Sequence, residues 1–141
     1  MVDIHKLVSE HKELVIKTRR DLHRIPEVGY TEEKTSAYVA DYLTREGLEV
    51  QAGIAQYGVV GLLNTGKPGP TLMVRADIDA LPLQEETGLE FASTHAGVMH
   101  ACGHDAHTAM GLAAATVLNK IKDELTGTLK FIFQPAEEGP G

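Results

Sequence analysis

Apolar residues at Ile4, Leu7, Val8, Leu14, Val15, Leu22 and Ile25 recur mostly at three- and four-residue steps. That spacing predicts one amphipathic helix, closed by Pro26. Thr31 ahead of Glu32 and Glu33 reads as an N-cap followed by acids that complement the helix dipole. A second helix is predicted from there to about Glu46, with Gly47 as a left-handed cap. Three strand-like segments follow: Leu48 to Ile54, Val59 to Leu63, and Thr71 to Ile78. The turn chemistry of Gly66-Lys-Pro-Gly-Pro70 predicts that the last two pair as a hairpin. A third helix is predicted over about Asp105 to Lys122, with Ala109, Met110, Ala113, Val117, Leu118 and Ile121 on one face. Thr128 to Phe133, bounded by Gly127 and Pro135, reads as a buried strand. Helices interleaved with apolar strands predict an α/β fold, a mixed β-sheet flanked by helices. No repeat, linker or low-complexity segment divides the chain, so one domain is expected.

Composition narrows the function classes. The chain has 141 residues, 43% of them hydrophobic, which argues against intrinsic disorder. Thirteen Lys and Arg against twenty Asp and Glu leave a formal charge of −7, with no basic cluster, so no nucleic-acid partner is expected. No stretch approaches the roughly 20 apolar residues of a membrane span. The opening MVDIHKLVSEHKE lacks the apolar core of a secretory signal. The single Cys102 cannot form an internal disulfide, in keeping with a reducing compartment. A cytoplasmic protein with no membrane partner is the expectation.

Polar residues gather in three places, each after a predicted strand or before a predicted helix, where open α/β sheets bind ligands. Met99-His-Ala-Cys-Gly-His-Asp-Ala-His107 brings His100, Cys102, His104 and His107 together with Asp105. Thiolate plus imidazole suits zinc, manganese, cobalt and similar divalent ions. Cys102 and His104 reach one site only from a loop, and Gly103 between them supplies the backbone freedom. The competing reading is a His-bearing loop around an inert Cys. Glu137 and Glu138 follow the buried Phe131-Ile-Phe133. As neighbours pointing apart, they let one carboxylate hold metal while the other faces substrate as a base; a solvated acidic turn is the plainer alternative. Arg75, Asp77 and Asp79 share one side of an extended segment, which could equally be a surface ion pair of little energetic weight, ~0–1 kcal/mol. Together the clusters describe metal-assisted hydrolysis: a divalent ion can lower the pKa of bound water from ~15.7 to ~7, and a neighbouring carboxylate can take its proton. Neither a Gly-x-Ser-x-Gly elbow nor a phosphate-cradling Gly-Lys-Ser/Thr loop is present.

Arg75-Ala-Asp-Ile-Asp-Ala-Leu-Pro82, Met99-His-Ala-Cys-Gly-His-Asp-Ala-His107 and Phe133-Gln-Pro-Ala-Glu-Glu-Gly139, in this order, resemble the metal-dependent amidohydrolases and peptidases of the aminoacylase–carboxypeptidase type. Arg20-Asp-Leu-His-Arg-Ile-Pro-Glu27 fits the branch holding hippurate hydrolases, N-acetyldiaminopimelate deacetylases and auxin-conjugate hydrolases. The resemblance implies a dinuclear-metallopeptidase-like catalytic domain that hydrolyses the amide of N-acyl amino acids. It implies two divalent ions per full-length subunit (Mn, Zn, Co or Ni), and it admits a homo-oligomeric full-length form. Carried over by motif, Cys102, His104 and Glu138 are metal ligands, Glu137 is the general base, and Asp77 supports the metal-site geometry. Arg75 then stands where wider relatives place a His ligand, and His107 is a candidate substrate-side residue.

Family members run on well past Gly141, with further His ligands and a lid or dimerisation domain. By that resemblance residues 1–141 are the N-terminal part of an incomplete catalytic domain, with the lid domain absent. The sequence then sets an enzyme against a catalytically silent, metal-binding or structural fragment, and predicts no turnover by the isolated chain.

Overall fold

A computed structural model describes residues 2–139. Helices α1 (Ile4–Glu10), α2 (Lys12–His23) and α3 (Glu33–Arg45) lead into strands β1 (Glu49–Ile54), β2 (Gly58–Asn64) and β3 (Thr71–Asp77). Helix α4 (His104–Lys120), a short 3₁₀ turn at Lys122–Glu124 and strand β4 (Thr128–Gln134) follow. The four strands form one mixed sheet in the order β1-β2-β4-β3. β1–β2 and β2–β4 are antiparallel, whereas β3 and β4 run parallel, with Asp77 opposite Gln134.

The sheet corrects the expected hairpin. β2 and β3 are not neighbours, because β4 inserts between them. Both flanks of β4 are the more apolar choice: Leu129, Phe131 and Phe133 are buried, with Val59 and Leu63 of β2 and Ala76 of β3 in the same core. The Gly66–Pro70 turn still forms, but it carries the chain across the end of β4. Gly69 abuts Gly127 there so closely that a Cβ on Gly127 would lie 2.0 Å from the Pro70 carbonyl oxygen.

The first predicted helix is also divided. At His11 the backbone leaves helical geometry (φ −102°, ψ 5°) and the imidazole Nδ1 donates to the Leu7 carbonyl at 2.6 Å. That bond uses an acceptor inside the last turn and ends α1. Thr31 does not cap α3: its hydroxyl donates to the Val28 carbonyl. The orphan N–H groups of Lys34 and Thr35 are taken instead by the buried Glu27 carboxylate, at 3.1 and 2.9 Å. Gly47 does adopt the left-handed conformation (φ +80°).

Helix α3 lies on β1 and β2, and α4 on β3 and β4. The core between them is built from Val39, Leu43, Leu48, Val59, Leu63, Leu112, Phe131 and Phe133. Gly111 of α4 faces Phe133, where a Cβ would stand 3.2 Å from the ring, so the helix seats directly on the sheet. Tyr42 and Thr116 tie the two helices by a 2.9 Å hydroxyl bond. No described helix is long and apolar enough to cross a membrane.

Candidate metal centre

The parallel pair β3–β4 brings two distant loops to one end of the sheet. Residues 78–82 leave β3 and residues 135–139 leave β4, and the ladder extends one bond further through Ile78 N–H to the Gln134 carbonyl at 2.9 Å. Helix α4 begins at the same place, with Gly103 at its N-cap in the left-handed conformation (φ +83°). Three segments separated in sequence therefore meet where parallel strands end.

Cys102, His104 and Glu138 form one donor cluster, their ligand atoms lying within 4.8 Å of one another. His104 is the buried member; Cys102 and Glu138 are exposed. The His104 ring orientation is fixed by Asp79, which is itself buried: Nδ1 lies 3.0 Å from both the Asp79 carbonyl and its Oδ1. Both partners accept, so in the neutral imidazole Nδ1 carries the proton and Nε2 keeps the lone pair. Nε2 faces the Glu137 and Glu138 carboxylates at 3.7 and 3.9 Å. A carboxylate on one ring nitrogen in this way holds a histidine in one tautomer with the other nitrogen open to a metal. Asp79 does more: its Oδ2 accepts from the Glu138 backbone N–H at 2.9 Å, locking the β3 and β4 loops together.

The thiol, imidazole and carboxylate around a free Nε2 suit a divalent ion of the zinc, cobalt or manganese kind. The local field favours a cation as well. Hydrogen bonding to Glu138, then burial and the charges of Glu138, Glu137 and Asp79, push the Cys102 thiol up to about 11. The concentration of negative charge that opposes a bare thiolate is what a bound cation would offset.

A second donor cluster, Asp77, His104 and His107, shares His104 with the first. With Nδ1 committed to Asp79, His104 offers a single lone pair, so the two clusters are alternatives for one ion. Asp77 is half-buried and bonded to Arg75, which reaches its Oδ1 with both Nε and Nη2 at 2.9 Å. His107, one turn along α4, is exposed and stacks on the His104 ring with centroids 5.7 Å apart.

Of the residues singled out by sequence, Cys102, His104, Glu137 and Glu138 are thus brought together, with Asp77 and His107 at their flank. The carboxylate bonded to the histidine is Asp79, two residues beyond the one assigned that part. Alternation placed both on one side of the segment; only the end of β3 at Asp77 distinguishes them. His100 is buried, and burial lowers its pKa to about 4.

The turn bearing the two glutamates has its own support. Ala136 is buried with φ +53°, a conformation that costs a residue with a Cβ about 1 kcal/mol or more. Its N–H donates to Glu32 Oε1 at 2.8 Å, and Gly29 approaches so closely that a Cβ would lie 3.0 Å from Ala136 Cα. Glu32 was legible only as a helix-start acid. Nothing in its spacing pointed a hundred residues ahead.

Residues 73–141 match the profile of Peptidase family M20/M25/M40. The chain is 49% identical over 135 residues to thermostable carboxypeptidase 1 of Saccharolobus solfataricus, covering 95% of this chain and 34% of that protein. A solved aminohydrolase structure from methicillin-resistant Staphylococcus aureus superposes with a TM-score of 0.92 at 46% identity, covering 97% of this chain and 36% of that one. A Bacillus subtilis structure described as a dinuclear metal binding peptidase from the M20 family gives 0.85 at 46% identity, covering 89% and 36%. The chain thus spans about a third of the length of the relatives it matches. Three motif clusters, a mixed sheet that joins them at one end and these likenesses agree: residues 73–141 match Peptidase family M20/M25/M40, and the chain is similar in sequence and fold to the N-terminal third of its carboxypeptidase and aminohydrolase relatives.

Proposed function

We propose that this chain supplies the metal-holding loop and the proton-transfer carboxylate of a metal-dependent amidohydrolase acting on N-acyl amino acids. The observation that carries this reading is the free His104 Nε2 within reach of Cys102 and Glu138, with Glu137 beside it. Cys102, His104 and Glu138 would hold a divalent ion, whose contribution is to acidify water and polarise the scissile carbonyl. Glu137 is exposed at the rim, in contact with solvent and open to a substrate. Placed there it accepts a proton during attack and returns it to the leaving amine, work typically worth 10²–10⁴-fold. Asp79 holds His104 in the tautomer that leaves Nε2 unprotonated, and through the Glu138 N–H it sets the spacing of the two glutamates.

The relatives, read together with the motifs, support this substrate class. A carboxypeptidase and an N-acyl-amino-acid hydrolase cut the same bond, the amide joining an acyl group to an amino acid with a free carboxylate. The name of the B. subtilis relative supports a pair of ions in the protein at its relatives' length.

Two measurements test this. Metal analysis of the chain should show bound Zn²⁺, Co²⁺ or Mn²⁺ that is lost in Cys102→Ser; equal metal content in both would sink the ligand assignment. The chain should then be grafted in place of the matching third of the B. subtilis relative and assayed on N-acetyl and N-benzoyl amino acids. Metal-dependent release of amino acid, falling at least 10²-fold in Glu137→Gln, is expected. A well-folded, metal-loaded graft with no turnover would favour a silent metal-binding role.

A further inference from the structure

Asp105 follows His104 in the first turn of α4 and is almost fully buried. Its Oδ2 accepts from Arg19 Nε and from His23 Nδ1, each at 2.7 Å, so α2 grips the start of α4 with two side chains on one oxygen. His23 is also buried, and its Nε2 lies 3.2 Å from Glu85 Oε1. Glu85 is itself held by the Ser93 N–H at 2.6 Å and by the Thr87 hydroxyl. Burial would raise the Glu85 pKa, but the bonds from Thr87, Ser93 and His23 outweigh it and hold the carboxyl below its usual range. Phe91 closes the outer side, its ring edge-on to His23 with centroids 5.6 Å apart and covered by the Arg19 and Arg20 guanidinium groups at 5.1 and 4.9 Å. On the inner side His100, from the Cys102 loop, has both ring nitrogens buried without a protein partner, and Asp105 Oδ1 is in the same condition.

The stretch that needs such holding is the ligand loop. Gly103 has no side chain and open space where a Cβ would be, so nothing on it fixes the turn. Cys102 is exposed, and its thiol is hydrogen-bonded to Glu138, which is itself exposed. Yet the separation between the Cys102 thiol and His104 Nε2 decides whether one ion can reach both. Asp105 is the first residue past that pair with a rigid anchor, and its anchor lies on a different helix.

We infer that Asp105, gripped by Arg19 and His23, is a positioning residue for the metal centre. It sets where the first turn of α4 begins and thereby the spacing of Cys102 and His104. The inference rests on the metal reading above and gives a role to Arg19 and His23, whose bonds go to Asp105 and Glu85 rather than to Cys102, His104 or Glu138.

The test is metal affinity in the 141-residue chain, read by Co²⁺ titration of the thiolate charge-transfer band. Asp105→Asn keeps the shape and removes the charge, and should weaken binding 10–100-fold, the usual effect of disturbing a residue that orients a ligand. His23→Asn keeps a donor near the Nδ1 position and should bind within about 3-fold of the unaltered chain, whereas His23→Leu should fall with Asp105→Asn. Val39→Ala, a core change on α3 that removes none of the contacts of Asp105, is the control for general destabilisation and should leave affinity unchanged. Equal affinity in Asp105→Asn and the unaltered chain, or an equal loss in Val39→Ala, overturns the inference while the metal reading stands. Should the Asp105 and His23 variants not fold, hydrogen exchange on the unaltered chain decides it: by reciprocity of linkage, metal must slow exchange across the α2–α4 contact. Slowing confined to residues 102–104 and 138 overturns the inference. If the unaltered chain binds no Co²⁺ at all, the metal reading falls and this inference with it.

Discussion

Glu32 shows how much one side chain can be asked to do. It stands at the start of α3, fully buried, with Oε1 accepting the Ala136 N–H and Oε2 without a protein partner. Burial raises its pKa above the ordinary 4.5; backbone bonds, that from Ala136 among them, pull the other way, and the charge of Asp79 adds to the rise. The sign of the linkage is fixed by that direction. Between 4.5 and the raised value the folded chain binds more protons than the unfolded one, so stability from this group is complete below 4.5 and is lost as pH climbs through the folded value. Glu32→Gln keeps an acceptor oxygen for Ala136 and removes the charge. It should therefore stabilise the chain by about 1 kcal/mol at pH 7 and have no stabilising effect near pH 4. Urea unfolding of both proteins across that range checks it; parallel stability–pH curves would show that Glu32 is not the group responsible. The site glutamates, one and two residues past Ala136, gain from the same contact, since Ala136 N–H is what holds their turn in its left-handed start.

At the level of elements, the glycines at the base of β4 decide how the sheet is threaded. Gly127 has φ +78° and lies against the Gly69–Pro70 backbone, whereas Gly66 has a similar φ of +74° with open space around it. Gly66→Ala should cost about 1 kcal/mol, the left-handed penalty alone, and Gly127→Ala roughly 2–4 kcal/mol, because backbone has to move as well. Denaturant midpoints for the pair measure the difference, and equal losses would mean the close approach is not tight. The same region marks the limit of what the sequence disclosed. Element types and most boundaries followed from periodicity, and β4 was legible as a buried strand because Phe131 and Phe133 sit between Gly127 and Pro135. Pairing was not: the turn at 66–70 is real chemistry, but turn residues say where the chain bends and not which strand fills the space beside it. The candidate site was legible where metal-donor and carboxylate side chains cluster locally, at Cys102, His104, Glu137 and Glu138. It was not legible in the residues packed behind them, Glu32, His23 and Arg19, because those contacts join α2 and the start of α3 to the first turn of α4 and the turn after β4, 82 to 104 residues away, where no local period reaches.

For the whole molecule, folding and metal binding should be one equilibrium. The three donors come from the loop before α4, the first residue of α4 and the loop after β4, and Asp79, after β3, ties His104 to Glu138. None of these contacts exists in an extended chain, so an ion that needs all three ligands binds the folded state and not the unfolded one. At a hundred times the dissociation constant that preference adds about 2.7 kcal/mol to stability, which for a chain of this size raises the melting temperature by roughly 5–10 °C. The increment should vanish with chelator and in Cys102→Ser, and should persist in Glu137→Gln, where the base is lost but the ligand set remains. This last comparison separates holding from chemistry. If Glu137→Gln abolished the metal-induced shift as fully as Cys102→Ser, Glu137 would belong to the ligands, and the proton-transfer role would have to pass to another group at the rim. If saturating metal left the melting temperature of the unaltered chain unmoved, the three donors would not be acting as one site. The convergence of β3, β4 and α4 would then serve the fold alone.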